Sequence, residues 1–120
     1  MKVRLTKEFH FEASHRLDHL PIDHPCHQLH GHGYRVAVEV YGEVDSQTGF
    51  LIDYADLKRI VSPIVAQLDH QHLNEIEGLT LTTAEHIAAW LWRKIKPQLP
   101  ILSRITIYET ATTRCEYTGE

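Results

Sequence analysis

The sequence predicts an α+β fold with the element order β-β-α-α-β-β, in which two helices lie on one face of an antiparallel sheet. Two patterns predict this class. Apolar and polar side chains alternate over two segments near the N-terminus and again near the C-terminus, as in strands with one buried face. Between these segments, apolar residues recur twice at helical spacing. Because 120 residues is near the commonest domain size, we expect residues 1–120 to form a single domain.

The composition is that of an ordinary soluble protein, with 42% hydrophobic and 23% charged residues. The formal net charge is −4 and no run of Lys or Arg occurs, so we expect no nucleic-acid partner. The first residues are too charged for a signal peptide, and no apolar stretch reaches the length of a membrane span. The two cysteines, Cys26 and Cys115, do not make a disulfide framework. We therefore expect a reduced, cytoplasmic protein without a membrane partner.

The first predicted strand spans residues 3–15. Its apolar parity is broken only by Lys7 and ends on His15, after Val3, Leu5, Phe9, Phe11 and Ala13. The other parity is polar, which is the pattern of a half-buried strand. His15 therefore continues the buried face, where a histidine is either a hydrogen-bonded core residue or a ligand.

A loop over residues 17–29 leads to a second predicted strand over residues 34–44. Extending the parity of this strand backwards places His30 and His32 on its apolar side. If the two strands pair antiparallel around the loop, His15 faces both histidines from the neighbouring strand. Three imidazoles with an open fourth position suit a catalytic zinc ion better than a structural one.

Two helices are predicted between the strands. Asp53 is a good N-cap for the first, and Pro63 inside that helix is expected to kink or split it. Thr82, with Glu85 three residues later, forms a capping box for the second helix, which Pro97 ends.

The last third of the chain returns to strands, with a short final strand expected over residues 113–118. Glu109 shares its parity with Ile101, Ile105 and Ile107. A carboxylate on an apolar face is costly unless it is paired or binds a ligand. Two interpretations stay open: Glu109 serves a ligand, or the strand ends at Tyr108 and the carboxylate is solvated.

Two further groups could do chemistry. Cys26 lies four residues before His30, and three interpretations stay open for it: a fourth ligand that closes a structural zinc site, a thiolate base or nucleophile, or a small buried apolar residue. Asp69 and His70 follow the first helix in a segment without periodicity. A carboxylate that orients an imidazole makes that imidazole a competent general acid or base.

Five segments, taken in order, resemble the 6-pyruvoyl tetrahydropterin synthase/6-carboxytetrahydropterin synthase family: residues 11–17, 26–32, 68–74, 82–85 and 109–110. The short spacing from Cys26 to His30 and His32 is most similar to that of the bacterial 6-carboxytetrahydropterin synthases of queuosine biosynthesis. The resemblance implies a tunnelling fold. It also implies a homohexamer, a dimer of trimers, with active sites between subunits.

The resemblance further implies a carbon–oxygen/carbon–carbon lyase. It would convert 7,8-dihydroneopterin triphosphate to 6-carboxy-5,6,7,8-tetrahydropterin and release acetaldehyde and triphosphate. The alternatives are the 6-pyruvoyl tetrahydropterin synthase reaction and a non-catalytic zinc-binding protein.

The family pattern also implies roles for individual residues. Zinc would bind His15, His30 and His32. The catalytic residues would be Cys26 as the proton acceptor, His70 as general acid/base oriented by Asp69, and Glu109 as pterin anchor and member of a charge relay. Thr82 and Thr83 match positions near the pterin pocket, although a helix cap explains Thr82 equally well.

Overall fold

The computed structural model describes residues 1–120 and contains five strands and two α-helices. In chain order these are β1 (Lys2–His15), β2 (His30–Glu43), α1 (Tyr54–Ala66), β3 (Gln71–His72), α2 (Ala84–Ile95), β4 (Leu102–Tyr108) and β5 (Cys115–Tyr117). Short 3-10 turns lie at Pro25–His27, Leu73–Glu75 and Lys96–Gln98. The predicted α+β class is confirmed, with β3 added between the two helices. Neither helix is both long and apolar enough to cross a membrane.

The strands form one sheet in the order β3-β1-β2-β4-β5. β1 and β2 pair antiparallel along their full lengths, so that His15 lies opposite His30 at one end of the sheet. The pairs β2–β4 and β4–β5 are also antiparallel. β3 is parallel to β1 and pairs only with Ala13 and Ser14. A strand of two residues shows no alternation, which is why the sequence pattern does not reveal it.

The core lies between one face of the sheet and the two helices. A single cluster of 23 buried hydrophobic residues joins the apolar parity of the strands to the inner sides of α1 and α2. Phe11 of β1 and Tyr34 of β2 are fully buried within it and stack with ring centroids 4.7 Å apart. The neighbouring histidines have the same strand parity as these core residues. They therefore lie on the same face of the sheet.

Of the kink or split predicted at Pro63, the split does not occur, because α1 runs through Pro63 as one helix. Pro63 lies on the exposed side, and buried residues of the same helix pack on the core: Leu57, Val61, Ile64 and Val65. We attribute the continuity to this packing, which outweighs the backbone hydrogen bond that proline cannot donate.

The cap of α2 is Thr83 rather than Thr82. The Thr83 hydroxyl accepts a hydrogen bond from the His86 backbone N–H at 3.4 Å. Thr82 is buried, and its hydroxyl donates instead to the Arg16 carbonyl at 3.5 Å. The N-cap therefore lies one residue later than predicted and Glu85 does not complete a capping box, because the Thr82 side chain contacts Arg16, which is distant in sequence.

Strand β4 contains an irregularity that changes which side chains are buried. Glu39 lies opposite Arg104 but Val40 lies opposite Leu102, so that one residue of β4 is left over. Leu102, rather than Ile101, is buried as a result. Beyond the irregularity the predicted parity holds.

Candidate metal centre

The β1–β2 hairpin brings the three predicted metal ligands together. His15 ends β1, His30 begins β2 directly opposite it, and His32 is two residues further on the same face. The ring centroids are 4.5 Å apart for His15 and His30, 5.2 Å for His15 and His32, and 4.9 Å for His30 and His32. Strand parity and antiparallel pairing together place three imidazoles around one point.

Glu109 is the fourth member of this cluster. One ligand atom from each of the three histidines and one carboxylate oxygen of Glu109 all lie within 4.8 Å of one another, so the group could hold a metal ion. Glu109 Oε1 is 3.0 Å from His32 Nε2 and 3.7 Å from His15 Nε2. β4 ends at Tyr108, as one of the two interpretations has it, but the Glu109 carboxylate is not fully solvated: its side chain is only 29% exposed and faces the histidines.

Backbone carbonyls hold two of the imidazoles in one tautomer. His15 Nδ1 donates to the Thr82 carbonyl at 2.8 Å, and His30 Nδ1 donates to the Gln28 carbonyl at 2.7 Å. Because a carbonyl can only accept, the proton of each neutral ring lies on Nδ1. The unprotonated Nε2 of each ring is then the atom that could bind a metal, as in many histidine metal sites.

Burial favours the uncharged form of two of the imidazoles, His15 and His32. Desolvation lowers the pKa of His15 from 6.5 to about 4, and the neighbouring histidines lower it further while the Thr82 hydrogen bond opposes the shift. Desolvation also lowers the pKa of His32, and this effect outweighs the nearby Glu109 carboxylate, which raises it. Neutral imidazole is the form that binds a metal ion.

One buried atom of the cluster has no hydrogen-bond partner. His32 Nε2 is inaccessible to solvent and makes no hydrogen bond, although Glu109 Oε1 lies only 3.0 Å away. The carboxylate oxygen is therefore close to Nε2 without lying where a hydrogen bond would form. An unpaired buried nitrogen costs roughly 1–3 kcal/mol, so the donor set fits a bound cation that would satisfy it.

Tyr34 is a residue of this site that the sequence reasoning missed. Its side chain is fully buried, and its hydroxyl lies 3.4 Å from His15 Nε2. Burial, followed by the Glu109 charge, raises the pKa of the phenol well above its usual range, so it remains a donor. The available signal was its parity, because Tyr34 follows His32 by two residues on the same strand face.

A cavity of about 340 Å³ adjoins the cluster. Its walls come from the start of α2, the end of β4 and the start of β5, and consist of Ala84, Glu85, Ile107, Glu109, Thr113, Arg114 and Cys115. Glu109 thus belongs to both the cluster and the cavity. A second cavity of about 370 Å³ is mostly apolar and lies at the opposite end of the hairpin, next to Met1 and Phe50. It contains none of the predicted site residues.

Cys26 lies outside the cluster. It is half-buried in the 3-10 turn Pro25–His27, where its backbone N–H donates to His24 Nδ1 at 3.0 Å and its carbonyl accepts from the Leu17 N–H at 2.8 Å. The structure therefore places Glu109, and not Cys26, beside the three histidines.

Asp69 and His70 form a contact of their own, apart from the cluster. Asp69 Oδ1 lies 3.0 Å from His70 Nδ1 and also accepts from the Glu12 backbone N–H at 3.0 Å. The Glu12 hydrogen bond is the main cause that lowers the Asp69 pKa, and His70 adds to it. His70 adopts the left-handed conformation, with φ of 59°, and its side chain is 77% exposed. Asp69 is thus placed to orient an imidazole that faces outward from this subunit.

Thr83 directly precedes Ala84 and Glu85 of the cavity wall but is not itself one of the lining residues. Its hydroxyl is occupied by the cap of α2, where it also lies 2.9 Å from His86 Nδ1. The structure gives Thr83 a local structural role next to the cavity.

Comparisons of the sequence and of the structure with known proteins identify relatives of this chain. The 6-pyruvoyl tetrahydropterin synthase family profile matches residues 4–120. The chain is 38% identical over 117 residues to a 6-carboxy-5,6,7,8-tetrahydropterin synthase of Synechocystis sp., covering 92% of this chain and 89% of the relative. It is 31% identical over 135 residues to the human 6-pyruvoyl tetrahydrobiopterin synthase, covering 99% and 93%. The Caenorhabditis elegans 6-pyruvoyl tetrahydropterin synthase structure superposes with a TM-score of 0.92 at 29% identity, covering 100% of this chain and 97% of the other.

Proposed function

This chain belongs to the 6-pyruvoyl tetrahydropterin synthase family and has its tunnelling fold, and we propose that it is a zinc-dependent 6-carboxy-5,6,7,8-tetrahydropterin synthase. It would convert 7,8-dihydroneopterin triphosphate to 6-carboxy-5,6,7,8-tetrahydropterin, with release of acetaldehyde and triphosphate, in queuosine (7-deazaguanine) biosynthesis. The observation that carries this proposal is the convergence of His15, His30 and His32 beside a cavity that contains Glu109. The identity to the Synechocystis enzyme favours the 6-carboxy product.

The three histidines would hold the ion. Zinc bound there supplies a Lewis acid that polarises side-chain oxygens of the substrate and makes neighbouring C–H protons easier to remove. The carbonyls of Thr82 and Gln28 support this role, because they keep the Nε2 atoms of His15 and His30 unprotonated.

The remaining groups would bind the pterin and move protons. Glu109 would accept hydrogen bonds from the ring N–H and the exocyclic amine of the pterin, a donor pair that suits a carboxylate. Cys26 would take a proton from the substrate, and His70, oriented by Asp69, would act as general acid/base. Thr83 would lie at the edge of the pterin site.

We further propose a homohexamer, built as a dimer of trimers, with active sites between subunits. The outer edge of β1 supports this assembly, because β3 covers only Ala13 and Ser14 and leaves most of a fourteen-residue strand free to pair with another chain. The exposed Asp69–His70 pair also supports it, since an outward-facing acid/base group can complete the site of a neighbouring subunit. Both cysteines are free, as suits the reducing cytoplasm where we place the enzyme.

The product assay tests the function. Purified zinc-loaded protein is incubated with 7,8-dihydroneopterin triphosphate, and the pterin and aldehyde products are identified by chromatography and mass spectrometry. We expect 6-carboxytetrahydropterin and acetaldehyde in equal amounts. Accumulation of 6-pyruvoyl tetrahydropterin without acetaldehyde would instead support the second candidate, which the similarity to the human and Caenorhabditis elegans proteins favours. No turnover of any pterin would leave a zinc-binding protein.

A further inference from the structure

We infer that His24 is a positioning residue for Cys26: its imidazole caps the turn that carries the thiol and so fixes where the thiol lies. The inference rests on the proposed function, because it takes Cys26 to be the proton acceptor of that reaction. Its starting point is the 3.0 Å hydrogen bond from the Cys26 backbone N–H to His24 Nδ1, in which neither the metal cluster nor the acid/base pair takes part.

The loop that carries Cys26 has few other anchors. None of residues 17–29 belongs to the hydrophobic core or to the side chains packed against it. Two of its apolar side chains, Ile22 and Leu29, are 77% and 63% exposed. A loop without buried apolar side chains keeps one conformation chiefly through its hydrogen bonds. The position of the thiol therefore depends on the bonds that hold the backbone of Cys26.

Both backbone polar groups of Cys26 are held. Its carbonyl accepts from the Leu17 N–H at 2.8 Å, which ties the turn to the chain just beyond β1. Its N–H is the one N–H of the turn that needs a cap, because Pro25 has none and the His27 N–H donates to the His24 carbonyl at 3.0 Å. The His24 imidazole supplies that cap.

A cap of the same geometry begins α1. Asp53 has φ of −70° and ψ of 130°, and it accepts from the N–H two residues later at 2.8 Å. His24 has φ of −72° and ψ of 133°, and it accepts from the N–H two residues later at 3.0 Å. Its Nδ1 thus lies where an aspartate or asparagine cap places Oδ1. Because a backbone N–H only donates, Nδ1 is unprotonated, and the proton of the neutral ring lies on Nε2.

The first test measures how firmly the turn holds the thiol. His24→Asn keeps an acceptor bonded to Cγ, His24→Ala removes it, and the control His19→Ala removes another exposed imidazole of the same loop. Alkylation of the half-buried Cys26 by iodoacetamide is followed by peptide mass spectrometry, with Cys115 as internal reference. We expect alkylation of Cys26 at least about fivefold faster in His24→Ala, and within about twofold of wild type in the other two variants. Far-UV circular dichroism verifies that all variants are folded.

The second test measures whether the cap matters for turnover of 7,8-dihydroneopterin triphosphate. His24→Ala should lower kcat at least about fivefold and leave KM within about twofold, because a misplaced proton acceptor slows the chemical step without removing a substrate contact. His24→Asn should recover most of the lost kcat, and His19→Ala should match wild type. A residue that binds the substrate would instead raise KM.

The outcomes separate this inference from the proposed function. If Cys26 in His24→Ala is alkylated at the wild-type rate, or if His24→Asn behaves like His24→Ala, the capping role is refuted. A raised KM with unchanged kcat would make His24 a binding residue and overturn the inference. If alkylation follows the expected pattern but wild type produces no 6-carboxytetrahydropterin, the proposed reaction fails while His24 remains the cap that holds Cys26.

Discussion

At the scale of single residues, the tautomer and the charge of the imidazoles determine what the site can bind. His15 and His30 donate from Nδ1 to backbone carbonyls, and burial keeps His15 and His32 neutral, so the cluster is prepared for a cation before one arrives. Neutral rings at this distance avoid the mutual repulsion that charged rings would suffer. The arrangement would favour metal binding at neutral pH and makes the metal-free protein sensitive to acid.

The metal-free protein should lose stability as pH falls from about 6.5 to about 4. The unfolded chain takes up a proton on His15 near pH 6.5, whereas the folded protein does so only near pH 4, so the unfolded state binds more protons within this window. The difference corresponds to at most about 3 kcal/mol at the acid end. Urea unfolding in the presence of a chelator measures it. His15→Gln should flatten the pH dependence, while the exposed control His19→Gln should not; equal slopes in both variants would contradict the assignment.

Cys26→Ala should abolish turnover while zinc stays bound. The thiol lies outside the four-group cluster, so its removal would take away the proposed proton acceptor and leave the donor set intact. We expect at least about a 100-fold loss of kcat, typical for removal of a general base, with one zinc per chain by atomic absorption. Joint loss of zinc and fold in this variant would instead identify Cys26 as a structural ligand.

At the scale of elements, capping residues position the helices against the sheet, and α2 carries part of the cavity wall. Thr83 caps α2 at the point where Ala84 and Glu85 enter the cavity. Asp53 caps α1 through a 2.8 Å hydrogen bond from the Ala55 N–H, far from the cavity along the chain. A substitution at Asp53 therefore changes a helix cap away from the cavity, whereas a substitution at Thr83 changes a helix cap next to it.

Asp53→Ala should destabilise the protein by about 1 kcal/mol, because an orphan N–H at the start of α1 loses its acceptor. Asp53→Asn retains a capping oxygen and should recover most of this loss. Zinc affinity and turnover should be unchanged in both variants, since Asp53 belongs neither to the cluster nor to the cavity beside it. Denaturant unfolding at one fixed protein concentration measures the change. A loss in Asp53→Asn as large as in Asp53→Ala would argue against a capping role.

At the scale of the whole molecule, the chain is elongated, with extents of 58 × 24 × 23 Å, and presents an open edge of β1. The Asp69–His70 pair lies where β3 begins beside that edge, and Cys26 lies in the loop between β1 and β2. One chain brings together the three histidines and Glu109 but leaves His70 exposed. A closed ring of subunits would cover the edge and give the exposed imidazole a site to act on.

Mixing two inactive variants tests whether sites form between subunits. Native mass spectrometry should first show a hexamer, six chains of 13.9 kDa or about 83 kDa. If each site takes Cys26 from one subunit and His70 from a neighbour, random reassembly of Cys26→Ala with His70→Ala should restore about a quarter of wild-type activity. Each variant refolded alone is the control. No recovery in confirmed mixed hexamers would place both residues in one subunit's site.

The sequence alone was sufficient for the fold class and for the sheet face that the three clustered histidines share. Strand period two determines which side chains point the same way, so the parity that buries Phe11 and Tyr34 also predicts that His15, His30 and His32 meet. These are local rules, and they hold over the full length of the β1–β2 hairpin.

The tertiary structure decided the features that depend on contacts between distant segments. Whether Glu109 is solvated or reaches His32 depends on β4 lying beside β2 and on where the chain leaves that strand, which no local period encodes. The parallel pairing of β3 and the use of Thr83 rather than Thr82 as a cap are likewise set by distant partners, in β1 and at Arg16. Local patterns determine the direction of side chains, whereas the neighbour that each one meets is determined only when the sheet and helices pack.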